Sequence, residues 1–150
     1  MALTNAPDLT QRPPRSPRVR LGGYAILPRM LDKGRATIAG KNGEYHYDCP
    51  MDQRFLAFVG IDAKALSKQL AAGKGDGEIL AWINKNSKNK PDPAAIAAWS
   101  AFAEQRTPGD VESHQYFIEL LTKAGAKRED ISTWFDLLDL DDHVTFGGAA

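Results

Sequence analysis

From Cys49 onward the chain repeatedly pairs a helix stop with a helix start, and this punctuation constrains the fold more than any other feature. Gly60 is followed by Asp62, Gly73 by Asp76, and Thr107-Pro108-Gly109 by Asp110; Asp92-Pro93 opens a further segment and Gly125 closes one. Glycine ends helices because it adopts the left-handed backbone without steric cost. Aspartate begins them because its carboxylate accepts from backbone N–H groups that have no helical partner. The punctuation predicts helices over residues 50–59, 62–72, 76–86, 93–105, 110–124 and 128–138, with a polar, lysine-rich linker at 84–91.

The first helix is expected over residues 24–39. Leu27, Met30, Leu31, Gly34 and Ile38 follow the spacing of one buried helical stripe. Pro28 is tolerated there only in the first turn or at a kink, and Gly40 ends the segment. Tyr45-His46-Tyr47 alternates like a strand but has no partner strand nearby, so it is expected as extended loop. The fold class expected is therefore all-α: a compact single domain of about seven short helices over residues 21–150. Ahead of it, residues 1–20 contain four prolines and four arginines. Proline fixes φ and removes donors, so this stretch reads as an extended Pro/Arg-rich arm, loose through about Pro7 and adherent after it.

Composition excludes several function classes. At 150 residues, 43% hydrophobic and 25% charged, the chain can bury a core without staples. Its single cysteine rules out an internal disulfide and a cysteine-only zinc cage. There is no apolar run of signal-peptide or membrane-span length, which sets a cytoplasmic expectation. The zero net charge argues against a dedicated nucleic-acid binder. It conceals an asymmetry, however. Residues 1–50 carry eight Lys/Arg against four Asp/Glu, and residues 127–150 carry two against six. The simplest consequence is that the basic arm docks on the acidic end of its own molecule, leaving a monomer or weak homo-oligomer.

Two groups of residues could carry chemistry. On the first helix, Arg29, Asp32, Lys33 and Ala36 share a face opposite the apolar stripe, with Asp32 three residues from both Arg29 and Arg35. That face is either solvated, with surface pairs of little energetic weight, or a grip for an anion. The second group is Glu44-Tyr45-His46-Tyr47-Asp48-Cys49. Cys49 stands at a helix N-terminus with His46 near in sequence, the material of a nucleophilic thiolate and a base. No signature of a cysteine hydrolase flanks it, and a cysteine before a helical proline also suits a small buried space. His-x-Asp-Cys is not an established ligand spacing, so no metal and no cofactor are expected. GKGDGE lacks the preceding strand and the Lys-Ser/Thr of a phosphate loop, and reads as a glycine stop before an aspartate start. Trp82, Trp99, Phe102, Phe117, Trp134 and Phe135 read as core.

The run LGGYAILPRMLDKGRATIAGKNGEYHYDCPMDQRFLAFVGID, with GKGDGEILAWI and WFDLLDLDD…FGG, resembles an uncharacterised bacterial family known only as a domain of unknown function. The likeness extends from about Leu9 to Gly148 and implies an independent bacterial domain, with no activity, cofactor or catalytic residue attached.

The function expected is binding of a small anionic molecule in a polar pocket between the first helix and the 44–49 loop. Arg29 and Lys33 would hold the anion, and Asp32 and Asp48 would orient donors. Tyr24, Tyr45 and Tyr47 would line the pocket, and His46 is the residue type best suited to moving a proton near neutral pH. If a reaction follows binding, Asp32, His46 and Cys49 are the catalytic candidates. The alternative is an interaction module in which the basic arm grips an acidic protein surface or a nucleic-acid backbone.

Overall fold

The computed structural model describes residues 3–150. Among them are seven α-helices: α1 (Leu27–Ile38), α2 (Pro50–Val59), α3 (Ala63–Ala71), α4 (Asp76–Asn86), α5 (Pro93–Gln105), α6 (Val111–Lys123) and α7 (Trp134–Thr145). No strand forms among the described residues; Leu21 and Tyr24 make an isolated antiparallel bridge. The all-α expectation holds.

The sequence punctuation acts largely as predicted. The carboxylates of Asp62, Asp92 and Asp110 accept from the N–H groups of Ala65, Ala95 and Ser113 at 3.0, 2.8 and 2.7 Å. Gly60 closes α2 with φ 75°. At α4 the cap shifts by one: Gly75 is the N-cap, its N–H donating to Glu78 Oε1 at 3.2 Å, and Asp76 falls in the first turn.

α1 is the central element. Leu27, Met30 and Leu31 are fully buried against Phe55, Leu56 and Val59 of α2, Leu66 and Leu70 of α3, and Ile79 and Ile83 of α4. Each such side chain contributes about 1.5–3 kcal/mol on leaving water. The helix starts at Leu27, not Tyr24, because Tyr24 exchanges both backbone hydrogen bonds with Leu21 across the Gly22-Gly23 turn. Ser100 of α5 pins this turn, accepting from Ala25 N–H at 2.9 Å and donating to Gly23 O at 2.7 Å. Ile38 departs from the expected stripe and is 39% exposed. The opposite, charged face is not solvated: Arg29, Lys33 and Arg35 are all buried.

The last helix is also displaced from the predicted residues 128–138. It begins after Thr133, whose hydroxyl accepts from Asp136 N–H while Asp136 Oδ2 accepts from Thr133 N–H, at 3.0 and 3.1 Å. This reciprocal box leaves residues 128–132 as a loop, where Arg128 pairs with Asp130. α7 thus runs through the acidic residues 136–142 instead of ending among them.

The arm is adherent earlier than expected. Asn5 donates to Lys74 O at 3.3 Å, Pro7 and Leu9 are buried, and Leu9 N–H donates to Lys41 O at 2.9 Å. Further along, Arg15 bridges Asp32 and Asp76, Arg18 bridges Asp136 and Asp139, and Arg20 pairs with Glu104. Two of its three paired arginines therefore reach beyond the acidic C-terminal helix.

Candidate functional site

α1 enters the core with three buried cations, and the fold supplies each with a distant carboxylate: Arg35 pairs with Asp76 of α4, and Arg29 and Lys33 form the site. Arg29 donates to both oxygens of Asp142 on α7, at 2.7 and 3.2 Å, and to the carbonyl of Arg15 at 3.3 Å. Lys33 donates to Asp52 in the first turn of α2 at 3.1 Å and to Cys49 Sγ at 3.3 Å. Arg29, Lys33 and Asp52 are 4%, 5% and 0% exposed. A buried charge of this kind is tolerable only when paired and hydrogen-bonded. Asp52 also accepts from Asp48 N–H at 3.0 Å. Burial nonetheless pushes the Asp52 carboxyl above its usual range, against the pull of Lys33.

Beside these pairs a cleft of about 250 Å³ opens between α1, the 44–49 loop, the start of α2 and α7. Arg29, Lys33 and Asp52 form its buried part, and Glu44, Tyr45, His46 and Cys49 line it from the loop. Met51 lines it from α2, and Leu138, Asp141 and Thr145 from α7. Tyr45 is fixed by its hydroxyl, which donates to Asp142 at 2.8 Å, and by its ring, which lies 5.5 Å from the Arg29 guanidinium carbon. Burial, and then the Asp142 carboxylate, push the Tyr45 hydroxyl pKa well up, so it remains a donor. Burial also raises the Asp141 carboxyl. Asp142 and Glu44 add to that shift, while Arg29 and Lys123 oppose it.

Of the residues singled out from the sequence, the structure gathers Arg29, Lys33, Tyr45, His46 and Cys49 around one cleft. The other four do not line it. Asp32 accepts from the backbone N–H, Nε and Nη2 of Arg15, and neither of its helical neighbours Arg29 and Arg35 pairs with it. Tyr24 is a core residue, edge-on to Phe55 with ring centres 5.2 Å apart. Tyr47 packs against the α1 backbone at Gly34 and donates to Ala63 O at 2.7 Å. Asp48 is exposed at φ 64° and meets the site only through its N–H.

Sequence reasoning missed Asp52, Asp141 and Asp142. Asp52 could have been found from its place in the first turn after Cys49-Pro50. The other two were hidden by the misplaced last helix, which ended at residue 138 and left them beyond it.

Chemically, the arrangement offers a thiol held beside an ammonium, an exposed imidazole, and carboxylates of differing environment. No group of three or more His, Cys, Asp or Glu able to hold a metal ion occurs among the described residues. No helix among them is long and apolar enough to cross a membrane.

Fold and site together define a helical domain whose central helix carries buried ion pairs beside a small cleft lined by both charged and apolar side chains. The chain belongs to the family described as a domain of unknown function, DUF5069, whose model matches residues 11–144. No curated protein matches the chain.

Proposed function

We propose that this is a cytosolic bacterial protein that binds a small polar molecule in the cleft between α1, the 44–49 loop and α7. The observation that supports it is the pair of buried cations beside open space. A guanidinium has five N–H donors, and Asp142 and Arg15 O accept three from Arg29. An ammonium has three, and Asp52 and Cys49 Sγ accept two from Lys33. The remaining donors can serve an acceptor oxygen on a ligand, as the expected anion would provide. Because both cations already have carboxylate partners, such an oxygen gains hydrogen bonds more than net charge. The cytosolic setting is supported by the free thiol of Cys49, which persists most readily under reducing conditions.

The rival use of the chain, an arm gripping an acidic partner or nucleic acid, would first have to break the ion pairs of Arg15, Arg18 and Arg20. Docking of the arm on its own body is the better reading of those arginines.

A thermal-shift screen of metabolites tests the proposal on the wild type, Thr145→Trp and Asp32→Asn. Thr145 is an exposed residue at the cleft, so tryptophan there obstructs it without uncovering a buried charge. A ligand at about a hundred times its Kd stabilises by about 2.7 kcal/mol, or roughly 5–10 °C for a chain of this size. The shift is expected in the wild type and Asp32→Asn and absent in Thr145→Trp. Equal shifts in all three would place the ligand elsewhere, and a wholly silent screen would count against binding.

A further inference from the structure

The charges around the cleft specify the ligand more narrowly than binding alone. In its buried part, Arg29 is balanced by Asp142 and Lys33 by Asp52, with donors left over and no net charge. Glu44 and Asp141 differ: both line the same cleft, both are exposed, and neither makes a hydrogen bond or ion pair among the described residues. The two sense each other, since Glu44 is among the charges that hold the Asp141 proton more tightly, and Lys123 and Arg29 only partly oppose this. A simple anion would reach the leftover donors past two uncompensated carboxylates. A simple cation would satisfy the carboxylates and leave the buried donors unused. A molecule carrying both charges answers both ends.

Size restricts it further. At about 250 Å³ the cleft lies just below the ≈ 300–1,000 Å³ typical of drug-sized ligands. It has room for about eight waters at roughly 30 Å³ each.

We infer that the ligand is a small zwitterion of amino-acid size, its ammonium between Glu44 and Asp141 and its carboxylate on the free donors of Arg29 and Lys33. This rests on the binding reading above and narrows it to one chemical class.

The experiment compares the standard L-amino acids with propionate and propylamine, the two halves separately, at matched concentration and ionic strength, by thermal shift and then calorimetry. At least one amino acid is expected to stabilise the wild type by several degrees, with neither half doing so at the same concentration. Glu44→Gln and Asp141→Asn are each expected to weaken that amino acid tenfold or more. Their melting temperatures without ligand should barely move, since neither side chain is bonded. Propionate binding as tightly as the amino acids, undiminished in E44Q, would overturn the inference and leave the binding reading standing. So would propylamine binding as tightly as the amino acids. Silence from every amino acid would overturn it as well; the binding reading falls only if the wider metabolite screen is silent too or its shifts survive unchanged in Thr145→Trp.

Discussion

Gly34 sets how closely α1, α3 and the loop carrying Tyr47 can approach. A Cβ there would lie 2.5 Å from Leu70 Cδ1 and 3.1 Å from Tyr47 Cδ1. Leu70 is fully buried and Tyr47 is tethered to Ala63, so neither has free space to yield into. Alanine would regain up to ~1 kcal/mol of helix propensity, against ~1–3 kcal/mol for overpacking a core. Gly34→Ala is therefore expected to lower the urea midpoint, and Leu70→Val to recover part of the loss in the double variant. A higher midpoint for G34A alone would show that Leu70 moves aside freely. Asp142 is the other decisive residue, since Arg29 and Tyr45 both donate to it. Asp142→Ala leaves a guanidinium buried without a counter-charge, a change expected to cost about 3–5 kcal/mol in chemical denaturation. A loss below about 1 kcal/mol, the size of a surface pair, would mean that Arg29 swings out to solvent. Local spacing could not reveal this bond. The i±3 rule pointed Arg29 at Asp32, whereas its partner lies 113 residues away.

At the scale of elements, the arm behaves as an eighth packing segment, held both by its buried Pro7, Leu9, Pro14 and Pro17 and by the ion pairs of its arginines. Arg15 and Arg35 converge on Asp76, at 2.7 and 2.8 Å, so the arm, α1 and α4 meet at one carboxylate. Arg15 and then Arg35 hold the Asp76 carboxyl below its ordinary value of 3.8, although burial works against them. A depressed folded-state pKa contributes stability that is complete above pH 3.8 and lost as pH falls through the folded value. The melting temperature should therefore fall below about pH 4, and less steeply in Asp76→Asn, which has already forfeited this contribution at neutral pH. Parallel acid profiles for the two proteins would remove Asp76 from the explanation. Most elements were legible in the sequence because their caps are local: Asp62, Asp92 and Asp110 bond three residues ahead. α7 was not, because Glu129-Asp130 and Thr133-x-x-Asp136 both signal a start, and packing of Phe135, Leu137 and Leu140 selects the later one. The α7 side of the site went unread with it, since Asp141 and Thr145 lie beyond the predicted helix end.

Across the whole molecule the core divides into three clusters of unequal depth. α1 to α4 share the largest, α1's entry turn meets α5 and α7 in a second, and α6 packs on α7 in a third through Phe117, Leu121, Leu137 and Leu140. α6 also leaves Val111, Tyr116 and Ile118 exposed, at 75%, 55% and 45%, so much of its apolar surface contributes nothing to burial in the isolated chain. Segments with few buried contacts open below the global unfolding free energy. In native-state hydrogen exchange, α6 amides are therefore expected to exchange through a smaller opening than those of α1, with a weaker dependence on urea. Phe117→Ala should widen that gap, because it removes a buried ring from the third cluster only. If α6 and α1 exchange with the same free energy and the same urea slope, the fold opens as one unit and the three clusters are not separate in energy. The division bears on function through α7, which packs on α6 with one face and lines the cleft with Leu138, Asp141 and Thr145. A ligand held between Glu44 and Asp141 would tie the 44–49 loop to α7. Its binding should raise protection in α7 more than in α3, which contributes nothing to the cleft lining.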